Sequence, residues 1–158
     1  MGQYYKLCNI DKKEYLNPHT FGNGFKLMEF TSDGQGVLQG LSILLANGNG
    51  RGGGDFRHES HLIGSWAGDR ITIEGDYADD SLWEVMHPTR HGDDGEEPNP
   101  KYQAGWSDIS EDVFELLMKD EYLKSKEKEI LDKWGMPTYN ESRTKLLTKI
   151  FGNGNENN

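Results

Sequence analysis

The chain has 158 residues, a net charge of −10 and a single cysteine. One domain of this length buries roughly two thirds of the surface that its unfolded form exposes, so a stable core needs no disulfide. The sequence has no apolar run of about 18 residues or more and no charged-then-apolar leader. We therefore expect neither a transmembrane helix nor a signal peptide, and a cytoplasmic location.

The negative charge is concentrated in one part of the sequence. Residues 69–115 contain 14 acidic side chains against two arginines and one lysine. Such a segment repels nucleic-acid phosphates and attracts cations or basic protein surfaces, so direct nucleic-acid binding is not expected. Within this segment, residues 92–100 combine turn formers with charge and predict a solvated loop.

The first half of the sequence predicts an antiparallel-rich sheet. Aromatic and apolar runs predict a hairpin of two strands, over residues 4–10 and 15–16, and a third strand over residues 25–30. Apolar residues at helical spacing then predict a helix over residues 37–46. A last strand is expected at residues 81–86.

One further strand has the clearest alternation in the sequence. Ile71 and Ile73 alternate with Thr72 and Glu74, the period-two pattern of a strand with one buried face. Glycine-aspartate pairs bracket it as turns at both ends. We therefore expect this strand at the centre of the fold.

The last third of the sequence is helical in pattern. Its apolar spacing predicts one long helix, or two with a break near Asp120, over residues 110–134, and a shorter helix after the capping pattern at 138–141. The predicted class is α+β, with an antiparallel-rich sheet and one inserted helix in the first half and two or three helices in the C-terminal third. Residues 1–152 are expected to form a single globular domain, and residues 153–158 a flexible polar tail.

Aromatic residues lie beside polar turns in several places, a combination that suits stacking on and hydrogen bonding to a small polar ligand. Asp76 and Asp79 flank a phenol in the turn after the strand at 71–74, and a tryptophan precedes Asp69 in the turn before it. The candidate ligand-binding residues are Tyr4, Tyr5, Trp66, Asp69, Asp76, Tyr77 and Asp79.

Three other motifs are weighed and set aside as catalytic or metal sites. The glycine-rich loop at 48–55 follows a helix and lacks lysine, so we expect no nucleoside triphosphate there, and Arg51 is the residue that suits a simple anion. His58 and His61 lie in a predicted loop without cysteine partners, which is not a zinc pattern. Cys8 is expected to be a buried thiol. No catalytic residue, metal or cofactor is assigned.

Four blocks of sequence carry a resemblance. They are Gly-Gln-Tyr-Tyr-Lys at 2–6, Phe-Gly-Asn-Gly-Phe-Lys-Leu-Met-Glu at 21–29, Trp-Ala-Gly-Asp at 66–69 and Gly-Asp-Tyr-Ala-Asp at 75–79. In these blocks the chain resembles a family of small uncharacterised proteins of bacteriophages and prophage-like regions. Many members have a single Trp-Ala-Gly-Asp-Tyr-Ala-Asp run, which is here spread over two turns. The resemblance covers about the first half of the chain and implies a phage setting, with no established activity.

Three functions from different classes follow. The first is a phage-encoded, non-enzymatic binding protein, with a counter-defence role in the host cell cytoplasm, that sequesters a small polar, nucleotide-like ligand or occupies a host defence factor. The second is an inhibitor whose acidic segment 76–97 mimics a phosphate backbone against a basic host protein, which strong salt dependence would reveal. The third is a divalent-metal-dependent hydrolase that uses the turn with Asp76, Asp79 and Asp80. No membrane partner is expected, and the sequence leaves open whether the chain forms a homo-oligomer.

Overall fold

The computed structural model describes residues 2–137 and 140–152, with the backbone alone at His91, and has the predicted α+β class. The expected tail at 153–158 and the first two residues of the capping pattern at 138–141 lie outside the described residues. In chain order the elements are β1 (Tyr5–Asn9), β2 (Glu14–Leu16), a 3-10 helix (Pro18–Phe21), α1 (Leu27–Thr31), α2 (Val37–Leu45), β3 (Ile71–Gly75), a second 3-10 helix (Leu82–Val85), β4 (Thr89–Gly92), β5 (Gly95–Pro98), β6 (Ser107–Asp108), α3 (Ser110–Leu117), α4 (Glu121–Trp134) and α5 (Glu141–Phe151).

The main sheet has the strand order β3-β1-β2-β6. Strand β1 is antiparallel to both β2 and β3, whereas the short β6 pairs parallel to β2. The expectation that residues 71–74 form the central strand is wrong, because β3 lies at an edge of this sheet. The alternation seen in its sequence belongs to a shallowly buried edge strand, and Ile73 is 39% exposed. Strands β1 and β2 are the interior strands, and the last four residues of β1 are all buried.

Both faces of β1 are buried, each against a different cluster of side chains. Because side chains of a strand point alternately to opposite faces, Leu7 and Asn9 face one layer while Lys6 and Cys8 face the other. The first layer is the main core, which the helices cover. Its largest buried members include Leu7, Leu16, Phe21, Phe30, Val37, Leu44, Trp66, Val113, Phe114, Leu117 and Leu147. The second layer is small and is built from Cys8, Tyr15 and Met86, with Trp83 and Trp106 packed against it.

The strand predicted at residues 25–30 is instead helix α1. The Phe25 carbonyl accepts a hydrogen bond from the amide of Tyr5 at 3.0 Å, but the chain then turns into the helix. At this point the carboxylate of Glu29 accepts a hydrogen bond from the amide of Lys26 at 3.2 Å. A side chain that binds a free amide of the first turn favours a helix start over continued strand pairing.

The predictions for residues 81–100 are also wrong in two places. The strand expected at 81–86 is a 3-10 helix, because the hydroxyl of Ser81 accepts a hydrogen bond from the amide of Trp83 and caps its first turn. The loop expected at 92–100 contains strand β5 and the turn that joins it to β4 in a hairpin. Its turn ends at Gly95, which has a φ of +115°, the positive value that a tight hairpin turn needs.

The helices of the C-terminal part are confirmed, including the break near Asp120. The carboxylate of Asp120 caps α4 by accepting a hydrogen bond from the amide of Leu123 at 2.9 Å. Asn140 caps α5 in the same way through the amide of Arg143. Across the described ranges, no helix has the length and apolar character needed to cross a membrane.

We predict that the start of α2 is sensitive to a single methyl group. Gly36 precedes the helix with a φ of +83°, and an added Cβ would overlap Oδ1 of Asn23, which accepts a hydrogen bond from the amide of Val37 at 2.8 Å. Gly36→Ala should therefore lower the free energy of unfolding by about 2 kcal/mol in urea denaturation. In the same loop, Gly34 has no atom within 4 Å of an added Cβ, so Gly34→Ala is the matched control. Equal stability of the two variants would contradict this account of the helix start.

Candidate functional site

A lysine is buried in the second layer of the sheet. Lys6 is 3% exposed, and its ammonium lies 4.2 Å from the ring centroid of Trp83 and 5.2 Å from that of Tyr15. It donates a hydrogen bond to Nε2 of His87. No carboxylate of the described residues forms a salt bridge with it. The charge is therefore held by aromatic faces and one neutral acceptor.

The nearest carboxylate in the strand register is used elsewhere. Glu74 of β3 is opposite Lys6 in the sheet, but its two oxygens accept hydrogen bonds from the hydroxyl of Thr72 and the amide of Leu82, both at 2.9 Å. The second contact ties the 3-10 helix to β3. The hydroxyl of Ser81 adds a hydrogen bond of 2.6 Å to the carbonyl of Gly75. These contacts fix the segment that carries the indole over the ammonium.

Burial sets the protonation states of Lys6 and His87. It lowers the pKa of Lys6 to about 8, against a smaller opposing effect of the charge of Asp108. Burial also lowers the pKa of His87 to about 4, and the neighbouring charge of Lys6 adds to this effect. At neutral pH the imidazole is therefore uncharged and free to accept the hydrogen bond from the ammonium.

The thiol beside Lys6 on β1 is an inert member of the second layer. Burial raises the pKa of Cys8 to about 12, and its sulfur lies 3.7 Å from that of Met86. Burial likewise raises the pKa of the Tyr15 phenol above its ordinary value. Because the thiolate is the reactive form of cysteine, Cys8 is a packing residue, as the sequence predicts.

An open cleft of ≈ 450 Å³ lies against Trp83 and His87, two of the three rings that contact the lysine. Its lining consists of Trp83, Glu84, His87, Pro88, Thr89, Arg90, Glu96, Asn99 and Lys101. The amide of Asn99 donates hydrogen bonds to the carbonyl oxygens of Glu84 and His87, at 2.5 and 2.9 Å, and thereby fixes one wall. Trp83 and His87 thus have two roles, because they hold the buried ammonium and also line the cleft.

Two cations lie at the mouth of the cleft. Arg90 pairs with Glu97 at 2.8 Å, and Lys101 pairs with Glu84 at 2.7 Å. All four side chains are well exposed to solvent, where an ion pair contributes at most about 1 kcal/mol. A bound anion can therefore exchange for either carboxylate at small cost.

A row of rings runs from the cleft to the end of the sheet. Trp83 meets the ring of Phe25 edge to face at 5.6 Å, and Phe25 contacts the ring of Tyr4 at 5.8 Å and stacks on that of His19 at 3.7 Å. Tyr4 and Asp76 exchange two hydrogen bonds, since the carboxylate of Asp76 accepts from the amide of Tyr4 at 2.9 Å and its own amide donates to the carbonyl of Tyr4. Of the predicted site residues, Tyr4 therefore forms the end of the row, and Asp76 holds the backbone there.

The remaining residues predicted to bind a ligand are divided between two places. Tyr77 and Asp79 are exposed in the turn that follows Asp76. Tyr5, half-buried on β1, donates its hydroxyl hydrogen to Oε1 of Gln3 at 3.0 Å. Trp66 and Asp69 lie beyond the opposite end of β3, about 15 Å along the strand.

Trp66 and Asp69 both form hydrogen bonds with other side chains of the fold. The indole of Trp66 is fully buried and donates a hydrogen bond to Glu14 at 2.9 Å. Asp69 accepts a hydrogen bond from the side-chain amide of Asn9 at 2.8 Å and pairs with Lys12, and these hydrogen bonds lower its pKa. The seven predicted residues therefore do not form one site, and a ligand role for each stays a prediction.

The glycine-rich loop holds an anion from its own chain. The carboxylate of Asp55 accepts hydrogen bonds from the amides of Gly50, Arg51 and Gly52 at 2.8 to 3.0 Å, which lowers its pKa. Any external anion at these amides must compete with this carboxylate. The exposed side chain of Arg51 stays a predicted anion contact. Among the described residues, no group of three histidine, cysteine or acidic side chains is arranged to hold a metal ion.

Sequence reasoning missed the residues that form the lysine site and the cleft. One signal was available, because Lys6 interrupts a run from Tyr4 to Cys8 that is otherwise aromatic or apolar. In a strand, Lys6 shares its face with Tyr4 and Cys8, which indicates that its side chain is buried. The contact with His87 had no signal, since the two residues are 81 positions apart.

Comparison of the chain with protein-family models, curated proteins and solved structures finds no match. The resemblance to phage proteins is thus neither supported nor opposed by these comparisons. The chemistry of the residues defines the class of site, which is a polar cleft with aromatic walls over a buried lysine.

We predict that His87 makes the protein less stable in acid. Between pH 6.5 and about 4 the unfolded chain binds a proton at this imidazole and the folded chain does not, so stability falls as the pH falls through this window. His87→Gln keeps a hydrogen-bond acceptor without the titration. In urea denaturation at pH 7 and pH 4.5, the wild-type protein should lose about 1–2 kcal/mol more than the variant, after allowance for the screening of a half-buried group. Parallel losses in the two proteins would show that the folded state does not keep the imidazole neutral.

Proposed function

We propose that the protein is a phage-encoded binding protein that captures a small polar, nucleotide-like ligand in the cleft beside Trp83 and His87. The observation that supports this most is the cleft, which combines aromatic walls with two cations at its mouth. Its volume of ≈ 450 Å³ falls within the range of about 300–1,000 Å³ that small-molecule sites occupy.

Each part of the lining suits a part of such a ligand. The rings of Trp83 and His87 favour a planar group, whereas Arg90 and Lys101 favour phosphate or carboxylate oxygens. The carboxylate of Glu84 suits the amino group of a base. Behind the rings, the charge of Lys6 adds a positive potential that solvent screens little.

The chemistry around the cleft favours binding over turnover. The buried thiol of Cys8 stays protonated, and His87 already accepts a hydrogen bond from Lys6. In the turn proposed for a metal-dependent hydrolase, the carboxylate of Asp76 accepts a hydrogen bond from a backbone amide. A stoichiometric sequestering protein needs only complementary surfaces. The counter-defence role and the host cytoplasm belong to this proposal through the resemblance to phage proteins.

A second candidate partner is a basic host protein. The hairpin of β4 and β5 adjoins the cleft and carries Asp93 and Asp94 at its turn, exposed to solvent. An exposed acidic hairpin is suited to imitate phosphates against a basic surface. Such binding would weaken steeply with salt, whereas capture of a ligand inside the cleft would respond less.

We predict that a charge change inside the cleft reduces ligand capture. Lys101→Ala removes one cation and one surface ion pair from the mouth of the cleft. Lys145→Ala on α5 removes a similar exposed lysine with its own ion pair to Glu141, and serves as the matched control. Each protein is purified from phage-infected and uninfected cells and denatured by heat, and the small molecules released are quantified by mass spectrometry. The Lys101 variant should retain at least about fivefold less ligand, the loss expected for one charge-assisted contact of about 1 kcal/mol.

Titration of the protein against the released molecule separates binding from catalysis. A binding protein saturates at about one ligand per chain and releases it unaltered. Conversion of an excess of the molecule to a new product would contradict the proposal, and so would equal retention by the two lysine variants.

A further inference from the structure

The outer edge of β3 carries backbone groups that do not face β1. At one end of the strand, the carbonyl of Arg70 accepts a hydrogen bond from the amide of Ile10 at 2.9 Å. At the other end, the amide of Asp76 donates a hydrogen bond to the carbonyl of Tyr4 at 3.0 Å. The register between these two hydrogen bonds is continuous, so the even-numbered residues of 70–76 direct their backbone groups towards β1. The amides and carbonyls of the odd-numbered residues therefore point to the outer side of the sheet.

Two residues of this outer edge have no partner for their backbone groups. Within the part of the chain that the structure describes, no hydrogen bond reaches the outward amides and carbonyls of Ile71 and Ile73. The next outward carbonyl, that of Gly75, is already used, because it accepts hydrogen bonds from the amide of Ala78 at 3.3 Å and the hydroxyl of Ser81 at 2.6 Å. The open edge therefore presents two donors and two acceptors.

The side chains of β3 leave this edge accessible. Sheet edges are commonly protected by a proline, a bulge or a charged side chain. Strand β3 has no proline and pairs with β1 without a bulge. Its one charged side chain, Glu74, belongs to the face of the second layer, where it accepts the hydrogen bonds from Thr72 and Leu82. On the opposite face, Ile71 is half-buried and Ile73 is 39% exposed, so an added strand would also cover apolar surface.

The charges beside the edge favour a basic partner. Asp76, Asp79 and Asp80 follow β3 in the next turn, and none of them forms an ion pair with another described residue. At the other end of the strand, Arg70 is already paired with Asp11 at 2.8 Å. An added strand with lysine or arginine beside the turn is therefore attracted. A second copy of the chain would instead bring its own acidic segment 69–115 to the edge, and the like charges oppose this.

We propose that β3 binds an extended basic segment of a partner protein as a fifth strand of the main sheet. The segment pairs through its backbone with Ile71 and Ile73, and every second side chain lies on the face of Ile73, where an apolar group fits. Its lysine or arginine residues lie beside the carboxylates of the turn at 76–80. None of these residues lines the cleft, so this site is independent of the proposed ligand capture.

Fluorescence anisotropy with a labelled peptide, Lys-Lys-Val-Thr-Val-Thr-Val-Lys-Lys, tests the chemistry of the partner. We expect a Kd of about 10–100 μM, and the peptide with glutamate in place of every lysine should bind at least about tenfold more weakly. The lysine peptide with N-methylated central amides should lose at least about tenfold as well, because it cannot form the strand hydrogen bonds. Binding that either change leaves intact, or no binding of the lysine peptide up to about 1 mM, would overturn the proposal.

Substitutions in the protein locate the site. Ile73→Pro removes an outward amide and leaves the hydrogen bonds to β1 in place, so it should weaken binding of the lysine peptide at least about tenfold. A charge test avoids any change to the strand, since Asp79→Asn combined with Asp80→Asn should weaken binding about fivefold. The matched control, Asp93→Asn combined with Asp94→Asn, removes the same charge from the turn between β4 and β5 and should have little effect. Equal weakening by the two double variants, or none by either, would contradict a contact at β3.

Sedimentation velocity of the protein without peptide tests the alternative occupant of the edge. The wild-type protein should show no dimer that Ile73→Lys dissociates, because the edge is expected to be free until the basic segment binds. This variant places a like charge against any basic strand and an edge lysine against any self-pairing. A wild-type dimer that Ile73→Lys converts to monomer would assign the edge to a second copy and overturn the proposal.

Discussion

The desolvated ammonium of Lys6 is the constraint on which the second layer depends. Because β1 is covered on both faces, this side chain cannot reach water, and removal of a charge from water costs several kcal/mol. The contacts with Trp83 and His87 offset that cost by about 2 kcal/mol for a cation over a ring and about 2 kcal/mol for a charged hydrogen bond. The lowered pKa of Lys6 shows that this compensation is incomplete. The ammonium of Lys6 is held in place, but its charged form is still less favourable there than it would be in water.

The same constraint orders the segment that forms the cleft. The rings can shield the ammonium only if the chain from 81 to 88 is fixed over β1, and the side chains of Glu74, Ser81 and Asn99 provide that attachment. Trp83 and His87 also line the cleft, so the residues that hold the ammonium form part of the cleft wall. The link from sequence to site therefore runs through a single inward-pointing lysine rather than through a recognisable motif.

The parts of the fold that could be predicted from the sequence are those governed by local rules. The hairpin of β1 and β2, helix α2 and the break at Asp120 follow from alternation, helical spacing and capping. The errors at 25–30 and 81–86 have one cause, because in both places a single side chain caps a helical turn within an apolar run that is also compatible with a strand. The edge position of β3 depends on pairing between distant segments, which alternation in one segment does not reveal.

Three of the four blocks on which the proposed resemblance to phage proteins rests meet at one end of the sheet. The first block contributes Tyr4 and Lys6, and the second contributes Phe25, whose ring joins Tyr4 to Trp83. The fourth contributes Asp76, which pairs with the backbone of Tyr4. Only the block at 66–69 lies at the opposite end of β3, where Trp66 belongs to the main core. Tyr4 and Phe25, from two of these blocks, thus join Trp83 in a row of rings that ends at the cleft, and Asp76 from a third block holds the backbone at Tyr4. The proposed ligand would use only the cleft end of this row, with its planar group against Trp83 and His87 and its anion in place of the carboxylate partners of Arg90 and Lys101.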